Sequence, residues 1–459
     1  MMSAIVDGLL AATPAFRDTA RLFDDRSTVE AYLEFERALA EVQGALGVIP
    51  AAAAERVAAL CRADSVDLDA LRDGAGRVGY PIVPLVAMLA ERAGADGEWL
   101  HFATTSQDAM DTGLVLQLVA ARPLVMGPLD EAIGTLAALT QAHRATPMAG
   151  RSKLQHAAPI TFGYRCAVWL DQIARRAAAL SAAFDAAAVV QFGGAVGTLS
   201  ALGADGAPVR AALARRLGLG VPDITWHVSR DRLADLVHAL VAAQAALAKM
   251  AGDITFLMST EVAELREPYA AGRGSSSTMP QKRNPVLCEA IIEAARRGRS
   301  APAEMLEAML QDQDRAIGTS YLERGAIVSA VTLTAGAAAV ARDLLAGLEV
   351  DTERMASNLG ATHGLIYAEA AMMALSATHG RVAAHSLLHG LCHTAAATGR
   401  DLAAVAAEEG YALPPAVFDV AGSRGAQDVM IDAVLARIAA AHGGAVDGGA
   451  PERPVAAEA

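Results

Sequence analysis

Between Asp111 and about Val350 the chain runs as long Ala/Leu/Val segments separated by brief polar or Gly/Pro punctuation. The breaks fall near Thr146-Pro147, Gly193-Gly194, Gly203-Ala204-Asp205-Gly206, Gly218 to Pro222 and Glu267 to Pro285. The intervals between them are too long for strands and suit extended helices. Long helices joined by short breaks must bury their apolar stripes against one another, which makes a bundle. Ala, Leu, Glu and Arg crowd the chain, aromatics are 4% of it, and strand-type runs of Val, Ile and Thr are scarce. The crowded residues are helix formers, and 53% hydrophobic residues supply a large core. An all-α fold is expected.

The flanks of this region read differently. Phe23 to Thr28 looks like a helix start, with Ser27 or Thr28 capping and Glu30 in the first turn. The helix would run from Val29 to Leu46 and end at Gly44, Gly47 and Pro50. Gly74 to Pro84 and Gly94 to Gly97 read as further breaks. After Asp351 the helical patterns shorten, and the Gly-, Pro- and Ala-rich tail after Gly443 is expected to be disordered.

Several classes are disfavoured. A net charge of −13 argues against nucleic acid as a partner, which needs a basic face, but leaves room for a local site that takes a small anion. Cys61, Cys166, Cys288 and Cys392 lie far apart with no CxxC pair, so no disulfide framework or zinc ribbon is expected and a reduced cytoplasm fits. The start of the chain lacks the basic region and apolar core of a signal peptide. Gly325 to Ala341 is uncharged, but it is rich in small residues, and we expect a helix buried in the bundle rather than a membrane span. His385, His389 and His393 recur at helical spacing beside Cys392. That spacing could present metal ligands, but no carboxylate joins them in a recognisable pattern, so a plain amphipathic helix is the expectation and no metal is assigned.

The most unusual segment is Gly272-Arg273-Gly274-Ser275-Ser276-Ser277-Thr278-Met279-Pro280-Gln281-Lys282-Arg283-Asn284-Pro285. It interrupts a helical region and concentrates glycine, serine, proline and cations. Successive backbone N–H groups of such a loop can hold an oxyanion. The next helix would start near Val286, turning its positive dipole end toward the loop. Lys282 and Asn284 offer a charge and an amide to a carboxylate.

The run from Ser276 to Pro285 resembles the signature loop of the fumarase/aspartase superfamily. Thr104-Thr105-Ser106-Gln107-Asp108 resembles its first motif region, and Gly150 to Gly163, with Lys153-Leu154-Gln155-His156, its second. Gln191 to Leu199, Trp226 to Arg232 and Gly347 to Asp351 resemble the carboxymuconate cycloisomerase branch. The resemblance implies three α-helical domains (1–110, 111–350 and 351–445, followed by the tail 446–459). It implies a homotetramer with sites shared between subunits. A small di- or tricarboxylate would be the substrate, with no cofactor, nucleic acid or membrane involved.

By the same resemblance, Ser276 is the base that removes a proton beside a carboxylate. Lys282 and Asn284 stabilise the resulting aci-carboxylate. A neutral serine is a poor base, so Ser276 needs activation by nearby positive charge. Thr105, Ser106 and Gln155 match positions that contact the substrate. For Thr105 and Ser106 an ordinary helix cap is the alternative. His227, with Arg230, matches a position lining the site, against a buried structural histidine.

Three departures from the family pattern matter. Lys153 stands where many relatives carry a histidine, and it reads as an acid, a carboxylate clamp or a surface lysine. Asp314 to Arg324 lacks the Trp-His-Ala-Glu-Trp pattern of muconate cycloisomerases and looks like the Ser-x-x-Glu-Arg of fumarate-releasing lyases, which marks Ser320 and Arg324 as substrate contacts. Ser275 replaces a glycine, which bears on loop flexibility. The expected function is therefore β-elimination from a substituted succinate with a small leaving group, such as amine or nitrite, releasing fumarate. Adenylosuccinate fits poorly, because the histidines expected at Lys153 and near Tyr80-Pro81 are missing. The alternative is 3-carboxy-cis,cis-muconate cycloisomerisation. A structural protein or a helical scaffold on the same fold would not need Ser276, Lys282 and Asn284.

Overall fold

The apolar segments fold into helices, as their length requires. The structure, a computed structural model, describes residues 8–443. The tail from 446 lies outside the described residues. In chain order the principal helices are α1 (Asp25–Ala45), α2 (Leu68–Val78), α3 (Ile82–Ala93), α4 (Ser106–Ala142), α5 (Phe162–Ala187), α6 (Asp231–Leu257), α7 (Val286–Gly298), α8 (Ser320–Ala346), α9 (Thr352–Gly360), α10 (Ala368–His379) and α11 (Arg381–Thr398). The all-α expectation holds, with two small additions. β1 (Pro147–Ser152) pairs antiparallel with β2 (Gln155–Thr161), and β3 (Leu265–Arg266) with β4 (Glu349–Val350).

Helix boundaries correct two local expectations. The cap of α1 is Asp24, whose Oδ1 accepts the Ser27 N–H at 2.8 Å, so Ser27 and Thr28 already lie inside the helix. Gly74 does not break α2; a Cβ there would meet Pro84 Cβ at 2.7 Å, so the glycine lets α2 approach the first turn of α3. The break itself falls at Gly79, which has φ +90° at the end of α2.

Contacts within the chain divide it into two compact units. The first comprises Met1–Asp130, Arg176–Lys249 and Glu289–Ala341. Its core is built on the apolar faces of α1, α4, α6 and α8, with Leu33, Phe35, Leu118, Leu236, Leu240, Ile327 and Val331 buried. A buried Gln244 ties two of these helices together, donating to Ala330 O at 3.1 Å and Thr334 Oγ1 at 2.8 Å. The second unit comprises Glu131–Arg175, Met250–Cys288 and Arg342–Ala459. It carries the β1–β2 hairpin, the β3–β4 pair and the C-terminal helices, whose own core includes Ala371, Leu375, Leu388, Leu391 and Val405.

Three helices, Ser106–Ala142, Asp231–Leu257 and Tyr321–Ala346, are long and apolar enough to cross a membrane by length and composition. The most apolar window of the last, which contains Gly325 to Ala341, is 78% buried within the protein. Packing against other helices accounts for that hydropathy.

Candidate active site

Most of the site residues read from sequence fall on three short segments, with His227 and the pair Ser320 and Arg324 elsewhere in the first unit. Thr105 and Ser106 open α4 in the first unit. Lys153 and Gln155 lie on the hairpin, and Ser276, Lys282 and Asn284 on the loop before α7, all in the second unit.

At the start of α4 the capping is done by Asp108. Its carboxylate reaches back to the Thr105 N–H at 3.1 Å and accepts the Thr104 hydroxyl at 3.0 Å. This is half of a capping box, with an Asp in the role of the reaching acid. The Thr105 hydroxyl makes no capping bond; the Asp108 N–H donates to Thr105 O at 2.9 Å instead. The hydroxyl accepts a hydrogen bond from Arg315 Nη1 at 3.2 Å, while Arg315 Nη2 donates to Ala195 O at 2.8 Å. Ser106 Oγ has no partner among the described residues, so a hydroxyl, a hydroxyl-bound guanidinium and a helix start share one half-buried corner.

His227 is 2% exposed and both of its ring nitrogens are engaged. Nε2 lies 2.7 Å from Asp108 Oδ1 and Nδ1 lies 3.2 Å from Thr225 Oγ1. His227 is thus buried, with Asp108 and Thr225 as its partners. Arg230 is also spent. It pairs with Asp111 at 2.8 and 2.9 Å and with Glu323, and stacks on Trp226 at 4.8 Å. Burial pushes the Glu323 carboxyl up, against the opposing pull of Arg230. Arg324 donates to Thr28 Oγ1 at 2.9 Å and to Gln117 Oε1 at 3.3 Å. It also lines a cavity of about 230 Å³ with Tyr32, Met110 and Tyr321. Met110 is one helical turn from Ser106 along α4. Ser320 is the first residue of α8.

The hairpin was not legible as β-structure. Its two turn residues, Lys153 (φ +50°) and Leu154 (φ +66°), both lie in the left-handed region, which is the geometry of a type I′ turn. Non-glycine residues are strained there, and the exposed tip leaves Lys153 and Gln155 free to reach outward. The base is pinned: Arg151 donates to the fully buried Glu264 at 3.0 and 2.6 Å, and Asn358 Nδ2 donates to the same carboxylate at 2.7 Å. His156 faces this pair, and burial together with Arg151 pushes its imidazole pKa down.

The loop before α7 is closed at its base and open at its tip. Asn284 N donates to Gly274 O at 2.9 Å. Gly274 has φ +65°, and a Cβ there would strike Asn284 O at 2.5 Å. Gly272 (φ +78°) and Gly274 supply the unusual dihedrals, so Ser275 costs the loop no conformational freedom where glycine is expected; its hydroxyl donates to Gly272 O at 3.0 Å. Arg283 is a structural cation: it donates to Glu267 O at 2.7 Å, pairs with Glu349 at 3.2 Å and stacks on Tyr269. Lys282, by contrast, is exposed and has no partner among the described residues.

The α7 dipole does not point at an empty site. Glu267 is 4% exposed, and its carboxylate accepts Leu287 N at 3.1 Å and Cys288 N at 2.8 Å. The first turn of α7 is thus satisfied by the chain itself, which corrects the expectation that it would serve an external anion. Ser276 gains something the sequence did not disclose. Its Oγ accepts Met279 N at 3.0 Å and Thr278 N at 3.3 Å. Donors aimed at an oxygen favour its anionic form, so the loop backbone joins Lys282 as a source of the positive potential an ionised serine needs.

Asp108, Arg315 and Glu267 are the residues that sequence reasoning left out. Asp108 lay within a quoted motif, but its partners lie far along the chain. His385, His389 and His393 are all exposed on α11. No three His, Cys, Asp or Glu side chains converge among the described residues.

Known proteins bring these segments under one heading. The model of a lyase family matches residues 23–298. The chain is 43% identical over 392 residues to a 3-carboxy-cis,cis-muconate cycloisomerase of Pseudomonas aeruginosa, covering 84% of this chain and 85% of that one. It is 38% identical over 420 residues to a nitrosuccinate lyase of Streptomyces davaonensis, covering 88% of each. The crystal structure of the 3-carboxy-cis,cis-muconate lactonizing enzyme from Pseudomonas putida superposes with a TM-score of 0.87 at 36% identity, over 95% of this chain and 99% of that one. With a helical fold shared over nearly its full length and the signature loop in place, the chain belongs to the fumarase/aspartase superfamily, in its carboxymuconate cycloisomerase-like branch, and is an enzyme of that superfamily.

Proposed function

We propose that the protein is a 3-carboxy-cis,cis-muconate cycloisomerase. This reverses the order of the two readings drawn from sequence. The observation that carries it is the 43% identity to a cycloisomerase over 84% of the chain, above the 38% to a nitrosuccinate lyase. The chemistry is compatible with the residues. A carboxylate of the substrate adds to the adjacent double bond, forming the ring C–O bond. The displaced electron pair moves into a neighbouring carboxylate as an aci-carboxylate. Lys282 and Asn284 stabilise that charge, and Ser276 O–H delivers the proton that completes the C–H bond. The nucleophile is already an anion, so no acid is required for a leaving group, and Lys153 in place of histidine is no obstacle. A tricarboxylate needs several cationic contacts; Lys153, Lys282 and Arg315 are exposed cations of the kind required, with Thr105, Ser106 and Gln155 as hydroxyl and amide donors.

The second reading is elimination of nitrite or an amine from a substituted succinate with release of fumarate. The Ser320 to Arg324 segment favours it, with Tyr321 and Arg324 lining a cavity that Met110 of α4 also lines. The same serine and lysine would serve either reaction. Three ultraviolet assays run in parallel decide: loss of 3-carboxymuconate absorbance supports cycloisomerisation, whereas fumarate formed from nitrosuccinate, or consumed with ammonia, supports elimination. We further propose that the protein acts in the cytoplasm as a homotetramer in which the loop, the hairpin tip and the α4 corner of different copies complete one site. Mixing inactive Ser276→Ala and Ser106→Ala subunits after mild dissociation tests this; regained activity supports it, and none refutes it.

A further inference from the structure

We propose that Asp108 is the positioning residue of the carboxylate-binding corner, setting where Thr105 and Arg315 stand relative to each other. Asp108 is fully buried, and its carboxylate takes donors from three separate segments. Oδ1 accepts Gly193 N at 3.0 Å and faces His227 Nε2 at 2.7 Å. Oδ2 accepts Gly194 N at 2.9 Å, Thr105 N at 3.1 Å and Thr104 Oγ1 at 3.0 Å. A buried carboxylate is tolerated only when it is hydrogen-bonded this fully.

The surroundings are shaped to that purpose. A Cβ on Gly193 would lie 2.7 Å from Thr225 Oγ1 and 3.0 Å from His227 Cε1, so the position excludes a side chain. Gly194 has φ +70°, which favours glycine. Two of the segments that Asp108 joins are the two that Arg315 bridges. One guanidinium nitrogen reaches Thr105 Oγ1 and the other Ala195 O. Each contact lies on, or one residue from, a residue whose N–H is bound to Asp108. The register of 104–105 against 193–195 therefore fixes the guanidinium.

A second consequence concerns the Gly193-Gly194 turn. Its N–H groups point at the chain's own carboxylate, so they are not an anion hole for substrate. A substrate carboxylate at this corner is left with the hydroxyls of Thr105 and Ser106 and with Arg315. That assignment rests on the function proposed above; the role of Asp108 in ordering the two segments does not.

The test uses the full chain with Asp108→Asn. An amide keeps the shape but turns an N–H₂ toward donors. KM for 3-carboxymuconate should rise roughly tenfold, the scale of unmatched buried donors, while kcat falls much less. Hydrogen exchange should quicken in peptides covering 103–106 and 192–197 and stay unchanged elsewhere. Should the variant fail to fold, Thr104→Val removes one donor and is read in the same way. Unchanged KM in a folded variant, or exchange rising evenly across the chain, overturns the proposal. If the wild-type protein turns over none of the three probe substrates, the functional reading fails, and the exchange pattern alone decides on Asp108.

Discussion

The corner around Asp108 and the loop from Gly272 to Pro285 are built on opposite plans. Around Asp108 the buried charges are matched: the carboxylate has donors on both oxygens, and Arg230 is shared between Asp111 and Glu323. In the loop only the base is matched, through Arg283, while Ser276, Lys282 and the tip lie toward solvent. The same division separates the cations of the motif segments. Arg151, Arg230 and Arg283 hold the backbone in place with fork-shaped contacts, whereas Lys153 and Lys282 have no partner among the described residues. Arginine suits a fixed bidentate contact, and lysine suits a point charge brought to a substrate. One region is organised before substrate arrives; the other has few buried contacts of its own, the property of segments that move at low cost.

The comparison can be broken most sharply at Ser276. Replacing it with Ala should lower kcat by about 10²–10⁴-fold with no change in thermal stability; full activity would remove the serine from the mechanism. Next is Arg230→Ala, which strands the buried Asp111 and Glu323 carboxylates and should cost about 3–5 kcal/mol of stability, measured by chemical denaturation. An equal loss of stability in Lys282→Ala would erase the distinction between the two sets of cations. Glu267→Ala uncaps α7 and should cost about 1 kcal/mol, with a larger effect on loop exchange than on melting.

The smallest effect is a pH dependence in the first unit. Burial disfavours the charged form of His101, but the Glu36 carboxylate 2.5 Å away outweighs it and raises the imidazole pKa. A raised folded pKa means this pair stabilises the protein fully below the unfolded histidine value, and the contribution fades as pH climbs through the folded one. Wild-type melting temperature should therefore drop more between acidic and alkaline buffer than that of His101→Gln. Equal slopes would remove the pair from the stability of this corner.

The sequence carried the bundle and the signature loop because both are local. Apolar periodicity over tens of residues writes a helix directly, and α7 begins at Val286, where the loop's end implied. The β1–β2 hairpin was missed for an equally local reason: Lys153-Leu154 carries neither glycine nor asparagine, so nothing in it announces a type I′ turn. The hairpin's base is held at Arg151 by Glu264, whose carboxylate Asn358 also binds, both distant in sequence.

By itself, then, the amino-acid sequence determined the helical class, the loop with its serine and lysine, and membership of a lyase superfamily, since each is written in contiguous residues. Which polar groups are free was decided only by the tertiary structure. The Thr105 hydroxyl takes Arg315 as its donor rather than capping α4; the α7 dipole is closed because Glu267 folds onto it; both His227 nitrogens are held, by Asp108 and Thr225. A donor's availability depends on partners far along the chain, 119 residues away between Asp108 and His227 and 210 between Thr105 and Arg315. Burial makes leaving such a group unmatched costly, so only the folded chain could assign each partner.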